Sequence, residues 1–456
     1  MSKEKLCEVI STLADKSQYI INNEFPTDNF PGKFSREFYL QENELISMRR
    51  SLQPDYDSCL YLTRDKVEAL PEYSVAINLL KSDPYFGMNL DALAGSGSIF
   101  YRVQSDRVLC HLLSSVLEIA DKSRWEYTIK KLYDEMSQWS IDGHVVHEYV
   151  SYIDGLAIES GRLELQGNVI LEQLDQAEQI KLLNNDPYFR RLYATDDYYR
   201  FFSGGDLVRV SCTYASPWQV CGEKEEPVHR QEFPEADEAL NRMEKCLAAL
   251  HLCFDSGVRH SEIIHVLHHP PIKGFPGKVS SVPQQLAASS NSLTVQREKD
   301  LKEIWSTVRM SSDIPNINKR VAEIALRRLY LIGSRVMLED RLIDAFIGFE
   351  AILGSLMRRN VEGELGFRLS LLVANMLGTK DPERVRFYDV MKKGYTLRSK
   401  IVHGSLLSID DKTILNDCIL IFRRFLRKWL SMTRCGKSSI DVRSVYLGIK
   451  AKSETV

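Results

Sequence analysis

The sequence predicts a mainly α-helical chain with a β-containing middle region, an α+β protein whose C-terminal part is an all-α helical bundle. Three observations carry this. Beyond residue 295, apolar residues recur at steps of three and four, as in Ala322, Ala325, Leu329, Ile332 and Val336. Between His147 and about Val220 they alternate instead, as in Tyr149–Ile153 and Leu207–Tyr214. A stretch rich in Pro, Gly and Ser, Pro270–Asn291, lies between these two regimes and reads as a linker.

A length of 456 residues implies two to four domains. The patterns divide them into 1–145 (mixed, mostly helical), 146–233 (β-rich), 234–294 (helical segment and linker), 295–435 (bundle) and a tail, 436–456. Composition is that of a globular protein, at 44% hydrophobic and 27% charged. No apolar run approaches the ~20 residues of a membrane span, and Met1–Cys7 has no signal-peptide core. Nine cysteines without a CxxC pair read as reduced thiols. A cytoplasmic protein with no membrane partner is the expectation.

The formal net charge of −3 conceals a division. Residues 295–435 hold 26 Lys and Arg against 17 Asp and Glu, while the remainder is acidic. A basic bundle on an acidic body points to a polyanionic partner for the bundle.

Taken in order, Leu109–Trp139 is the longest helical candidate of the N-terminal region, with Leu112, Leu113, Val116, Leu117 and Ile119 as its stripe. His144 and His147, three apart, would share a helix face, but a third metal ligand is lacking. Ile77–Phe86 and Ile180–Phe189 agree at seven of ten positions, each a helical turn stopped before a proline. Arg162–Leu165 and Asn168–Leu171 flank glycines and, with the two alternating runs, predict a small antiparallel sheet. Pro234–His268 returns to helix and carries His251, His260, His265 and His268, without the spacing of a zinc motif. In the bundle, further stripes are Leu342–Leu356, Leu365–Met376, Tyr388–Tyr395 and Ile414–Phe425, making four or five antiparallel helices. Asp381-Pro382 starts one of them.

Chemistry concentrates in Tyr395-Thr396-Leu397-Arg398-Ser399-Lys400-Ile401-Val402-His403-Gly404. A histidine moves protons near neutral pH, and a guanidinium binds phosphate and the charge that develops on it. An Arg–His pair therefore suits phosphodiester cleavage. No metal or other cofactor is required where the substrate supplies its own 2′-hydroxyl, as RNA does. Five residues on a continuous helix turn through about 140°. Arg398 and His403 thus meet on one phosphate only where the helix bends or ends between them, or where two chains share the site. Gly404 favours a helix stop. A second pair, Arg259 and His265, has similar spacing but no basic surroundings. Arg398 continues the Tyr388–Met391–Tyr395 stripe, and Glu350 borders Phe346 and Phe349, where a carboxylate is costly unless paired. Arg398 and His403 are its candidate partners.

Arg341–Leu353 with Glu350, followed by Tyr395–Gly404, resembles the HEPN superfamily, and within it the ApeA-like HEPN domains of prokaryotes. The resemblance covers about Val295–Cys435, under a third of the chain. It implies a metal-independent endoribonuclease of antiphage or abortive-infection type, acting on RNA such as tRNA or mRNA and released by a phage-derived or other trigger. It also implies a homodimer through the bundle, in which both Arg–His motifs form one cleft. By the same resemblance His403 transfers protons, Arg398 holds the scissile phosphate and Glu350 orients one of them. Ser399 and Lys400 are candidate substrate contacts. The alternative is a non-catalytic HEPN module that binds nucleic acid, a nucleotide or a protein partner.

Overall fold

The computed structural model describes residues 3–26, 31–40, 46–84, 87, 90, 93–96, 99–102, 104–142, 144–185, 206–217, 219–221, 234–254, 258, 260–261, 263–268, 291–309, 319–335, 337–356, 365–404 and 408–434. The linker at 270–290, the tail 436–456, Arg259, and the Asp186–Phe189 half of the repeated motif lie outside the described residues.

In chain order the N-terminal elements are α1 (Lys3–Glu24), β1 (Gly32–Leu40), β2 (Ile46–Pro54), α2 (Tyr56–Leu62), α3 (Arg64–Glu68), α4 (Pro71–Lys81), β3 (Leu93–Ser96), β4 (Ile99–Arg102), α5 (Ser105–Leu117) and α6 (Trp125–Asp142). The middle holds β5 (His144–Asp154), β6 (Leu156–Ile158), β7 (Arg162–Leu165), β8 (Val169–Leu174), α7 (Gln176–Asn185), β9 (Leu207–Pro217), β10 (Gln219–Cys221), α8 (Pro234–Cys253), β11 (Ile264–His268) and β12 (Asn291–Leu293). The last part is α9 (Val295–Arg309), α10 (Lys319–Ser334), α11 (Leu338–Leu356), α12 (Leu365–Leu377), α13 (Asp381–Val402) and α14 (Ile409–Arg434). The chain is mostly helical, with a five-stranded antiparallel sheet in the order β11-β5-β9-β8-β7.

The N-terminal helices close on their own core. Leu6, Ile10, Leu13 and Ile21 of α1 recur at helical spacing and are fully buried against Leu80, Leu109, Leu113 and Ile129. The single long helix expected over Leu109–Trp139 is two. Asp121 accepts from the backbone N–H of Ser123 and starts a new turn ahead of α6, a local bond that competes with continuing α5. The β1–β2 pairing, in which Arg36 stands opposite Arg50, was not expected, because its charged residues blur the alternation that marks a strand.

A second core runs without interruption from the sheet to the bundle. Val208, Val210 and Cys212 of β9 pack with Ala239, Met243 and Leu247 of α8, and these continue into Leu329, Phe346, Phe349, Phe422 and Phe425. Residues 234–268 therefore do not read as one helical segment. Helix α8 stops at Cys253, and Ile264–His268 adds an edge strand to β5. His144 and His147 also lie on β5 rather than on a helix, and a three-residue step along a strand puts them on opposite faces. His147 is buried and stacks on Tyr214 and His265.

In the C-terminal part, Ala322, Ala325, Leu329 and Ile332 face inward from α10, as their spacing requires, and Leu342, Phe346, Phe349 and Leu353 do so from α11. Asp344, almost fully buried, accepts from Arg328 at 2.8 Å and from Arg335 at 3.2 Å, which ties α10 to α11. Val336 of the expected stripe lies outside the described residues.

Candidate active site

Helix α13 carries the Arg–His segment. It opens with Lys380 as its N-cap and proline in the first turn, where a missing N–H costs nothing. Its middle approaches α14 closely at Gly394. A Cβ there would stand 2.3 Å from Cys418 Sγ and 3.2 Å from the Phe346 ring, so only glycine lets the helices meet at this depth. The contact fixes the turn that follows. Leu397 is buried, Tyr395 lays its ring edge-on to Phe346 at 5.7 Å, and Arg398 emerges at the seam.

There Arg398 meets α11. Its Nη2 is 3.5 Å from Glu350 Oε1, and its guanidinium carbon is 5.9 Å from the centre of the Tyr395 ring. Both partners are largely shielded, with side chains 29% and 24% exposed. Among the described residues Glu350 Oε1 and Arg398 Nε make no hydrogen bond. The pair is thus a charge contact in which two buried atoms, Arg398 Nε and Glu350 Oε1, have no hydrogen-bond partner.

The helix stops where Gly404 suggested, after Val402, but without a bend that brings His403 back to Arg398. It runs through Val402, and His403 is its C-cap, with the His403 N–H donating to the Ser399 carbonyl at 3.2 Å. Gly404 follows at φ +76°, the left-handed conformation that ends the helix one residue too late to fold the histidine back. His403 is exposed, as are Ser399 and Lys400 on the last turn. Within one chain, then, the structure brings Arg398 and Glu350 together and sends His403 to solvent.

The exposed turn lies beside the start of α14. Ser408 and Asp411 cap that helix reciprocally, the Ser408 N–H donating to Asp411 Oδ2 at 2.8 Å and the Asp411 N–H to Ser408 Oγ at 3.2 Å. These bonds hold the Asp411 carboxyl below its usual range, and the charge of Lys400 lowers it further. Among the described residues no three His, Cys, Asp or Glu side chains converge as metal ligands. Among the described residues no helix is long and apolar enough to cross a membrane. Sequence reasoning did not single out Asp344, whose two arginine partners come from other turns of the bundle and leave no motif.

Compared with known proteins, the chain matches no family model, and neither a curated protein nor a solved structure is significantly similar to it.

Proposed function

We propose that the chain is a metal-independent endoribonuclease, a cytoplasmic effector of antiphage or abortive-infection type whose site is Arg398, His403 and Glu350. The observation that supports this most is a partly exposed Arg398, held at a bundle seam 3.5 Å from Glu350 on the helix that ends in the exposed His403. A guanidinium already oriented by a carboxylate and an aromatic ring binds a phosphate with little further loss of side-chain freedom. In the reaction, the 2′-oxygen attacks phosphorus while its proton passes to His403. The 5′-oxygen leaves and takes up a proton, so the products are a 2′,3′-cyclic phosphate and a 5′-hydroxyl. Ser399 and Lys400 flank the phosphate chain.

The geometry of α13 favours a cleft shared by two copies. With helix running to Val402 and His403 as its C-cap, Arg398 and His403 lie about 140° apart, so one chain's histidine serves a phosphate held by the other's arginine. Exposed Leu365 and Phe367 at the start of α12 are apolar side chains that such a homodimer could cover. A second reading, a module that binds RNA or another partner without cleaving it, is favoured by the solvent position of His403 in the single chain.

Incubation of the protein with total RNA and with tRNA in EDTA, beside His403→Ala, tests the reading. Cleavage by the parent alone, leaving cyclic phosphate ends, is the expected result. Cleavage by both proteins, or RNA binding without cleavage in the presence of the trigger, would sink it. Restraint by the acidic N-terminal part is tested by removing residues 1–142, which have a core of their own. A cut at 290 would also strip α8 from the bundle core.

A further inference from the structure

Two histidines are buried where the five-stranded sheet meets the bundle. His251, near the end of α8, is fully buried, and His260, between α8 and β11, is 1% exposed. Their rings meet edge to face at 5.6 Å, and the His260 ring stacks on that of Tyr330 of α10 at 5.1 Å. Gly333 makes room for both. A Cβ there would stand 2.1 Å from His251 Nε2 and 2.4 Å from His260 Nε2, so α10 lies on the two rings only because it carries glycine at this point.

The two rings have partners of different kinds. His251 Nδ1 accepts from the Val258 N–H at 3.3 Å, so that nitrogen carries no proton. His260 instead meets an acceptor at each end. Its Nδ1 is 2.8 Å from the Ser261 carbonyl oxygen, and its Nε2 is 3.1 Å from the Tyr330 carbonyl oxygen. A carbonyl only accepts, and a neutral imidazole has a single N–H to give. Both contacts are hydrogen bonds only when both ring nitrogens are protonated. With one proton fewer, a ring lone pair would face a carbonyl lone pair away from water, which is costly. Burial opposes the charge, but the surroundings favour it. His260 Nε2 lies against the last turn of α10, where the helix carries partial negative charge. The Tyr330 ring lies nearly parallel to the imidazole, at 18°. His251 thus faces His260 from α8 and Tyr330 faces it from α10, while β5 presents the Ser151 hydroxyl and the backbone of Tyr152 and Ile153.

Ser261 carries the contact into the sheet. Its N–H donates to the Tyr152 carbonyl at 2.8 Å, and its Oγ accepts from the Tyr152 N–H at 2.9 Å. The Ser261 carbonyl that faces His260 also accepts from Ser151 Oγ at 2.9 Å. A hydrogen-bonded path therefore runs from β5 through Ser261 and His260 to α10. We propose that His260 is a buried imidazolium that joins the sheet to the bundle, and that loss of its proton opens the joint. The folded chain then keeps a proton that an unfolded histidine gives up above about pH 6.5. The joint contributes in full below that pH and its contribution is lost as pH rises further, on the opposite side from the effect of a histidine buried neutral. None of this depends on whether Arg398 and His403 cleave RNA.

The test is ring-nitrogen NMR of the full-length protein with isotope-labelled histidine, the His260 signals being those absent from His260→Gln. Where that variant fails to fold, Tyr330→Leu keeps the carbonyl, removes the stacked ring and identifies the same signals by their shift. At about pH 7.5, one unit above the ordinary histidine value, two protonated nitrogens are expected at His260. A single protonated nitrogen there would overturn the proposal. Urea unfolding gives a second reading. From about pH 6.5 upward the folding constant of the parent should fall by up to roughly tenfold per pH unit, the slope of one proton held by the folded state alone. His260→Gln should lack this component, and an equal slope in both proteins would also overturn the proposal.

Discussion

Arg398 of α13 and Glu350 of α11 face each other at 3.5 Å across the helical seam, with Tyr395 stacked near the guanidinium on its own helix. The contact joins the two residues that sequence spacing placed on separate stripes, and in it Arg398 Nε and Glu350 Oε1 have no hydrogen-bond partner. A partly exposed pair at this separation contributes only about 1 kcal/mol or less to stability. Its value under the proposed function lies in orientation.

Glu350→Gln keeps the shape and removes the charge. It should lower RNA cleavage on the order of a hundredfold while moving folding stability by less than about 1 kcal/mol. Cleavage rates and denaturant midpoints, measured on the same preparations, check this. A large loss of stability with activity intact would make the pair structural.

A cleft shared between copies predicts complementation. Arg398→Ala and His403→Ala, each inactive alone, should recover roughly a quarter of the parent activity when mixed and allowed to exchange subunits, since half the dimers are mixed and each keeps one intact pairing. Mixtures that stay inactive after proven exchange would place both residues of a site on one chain.

Gly394→Ala should destabilise the protein by about 1–3 kcal/mol, because its methyl would meet Cys418 Sγ at 2.3 Å and overpacking outweighs the gain in helix propensity. Adding Cys418→Ala should recover part of the loss. Thermal or urea unfolding of the four members of the cycle measures the coupling.

The pH dependence of folding should carry the mark of His265. Burial pushes its pKa below the ordinary histidine value, and His147 Nδ1 lies 3.0 Å from its Nε2, a contact that needs one donor and one acceptor. The unfolded chain therefore binds a proton at higher pH than the folded one. Stability is fully present above about pH 6.5 and falls as pH drops from there through the depressed folded value. His265→Gln should flatten that slope in urea unfolding from pH 7.5 to 5, a range set by the ordinary histidine pKa of ~6.5.

Asp344→Asn should cost about 2–4 kcal/mol, since it leaves Arg328 and Arg335 without the buried carboxylate that both reach. Calorimetric melting checks this, and RNA cleavage by the protein that remains folded should be unchanged.

The sequence by itself determined the helical stripes of α10, α11 and α14, the two alternating runs that became β5 and β9, and the glycine-flanked segments that became β7 and β8, because a repeating contact with one core imprints a period on the residues that make it. It also placed Arg398 on the seam, since three residues after Tyr395 is the same face. Where a single local bond settled the outcome, the pattern was silent. Asp121 divides α5 from α6, and Ile264–His268 becomes a strand only because β5 offers it an edge. The choice of Arg398 over His403 as the partner of Glu350 was equally a tertiary decision. Both lie in the same ten residues, but α13 continues to Val402, and helical rotation carries the histidine away from α11. The joining of α8 to the bundle core, and the gathering of α8, α12 and α14 around one cationic cleft, depend on contacts between residues up to 180 positions apart, which no periodicity within a segment records.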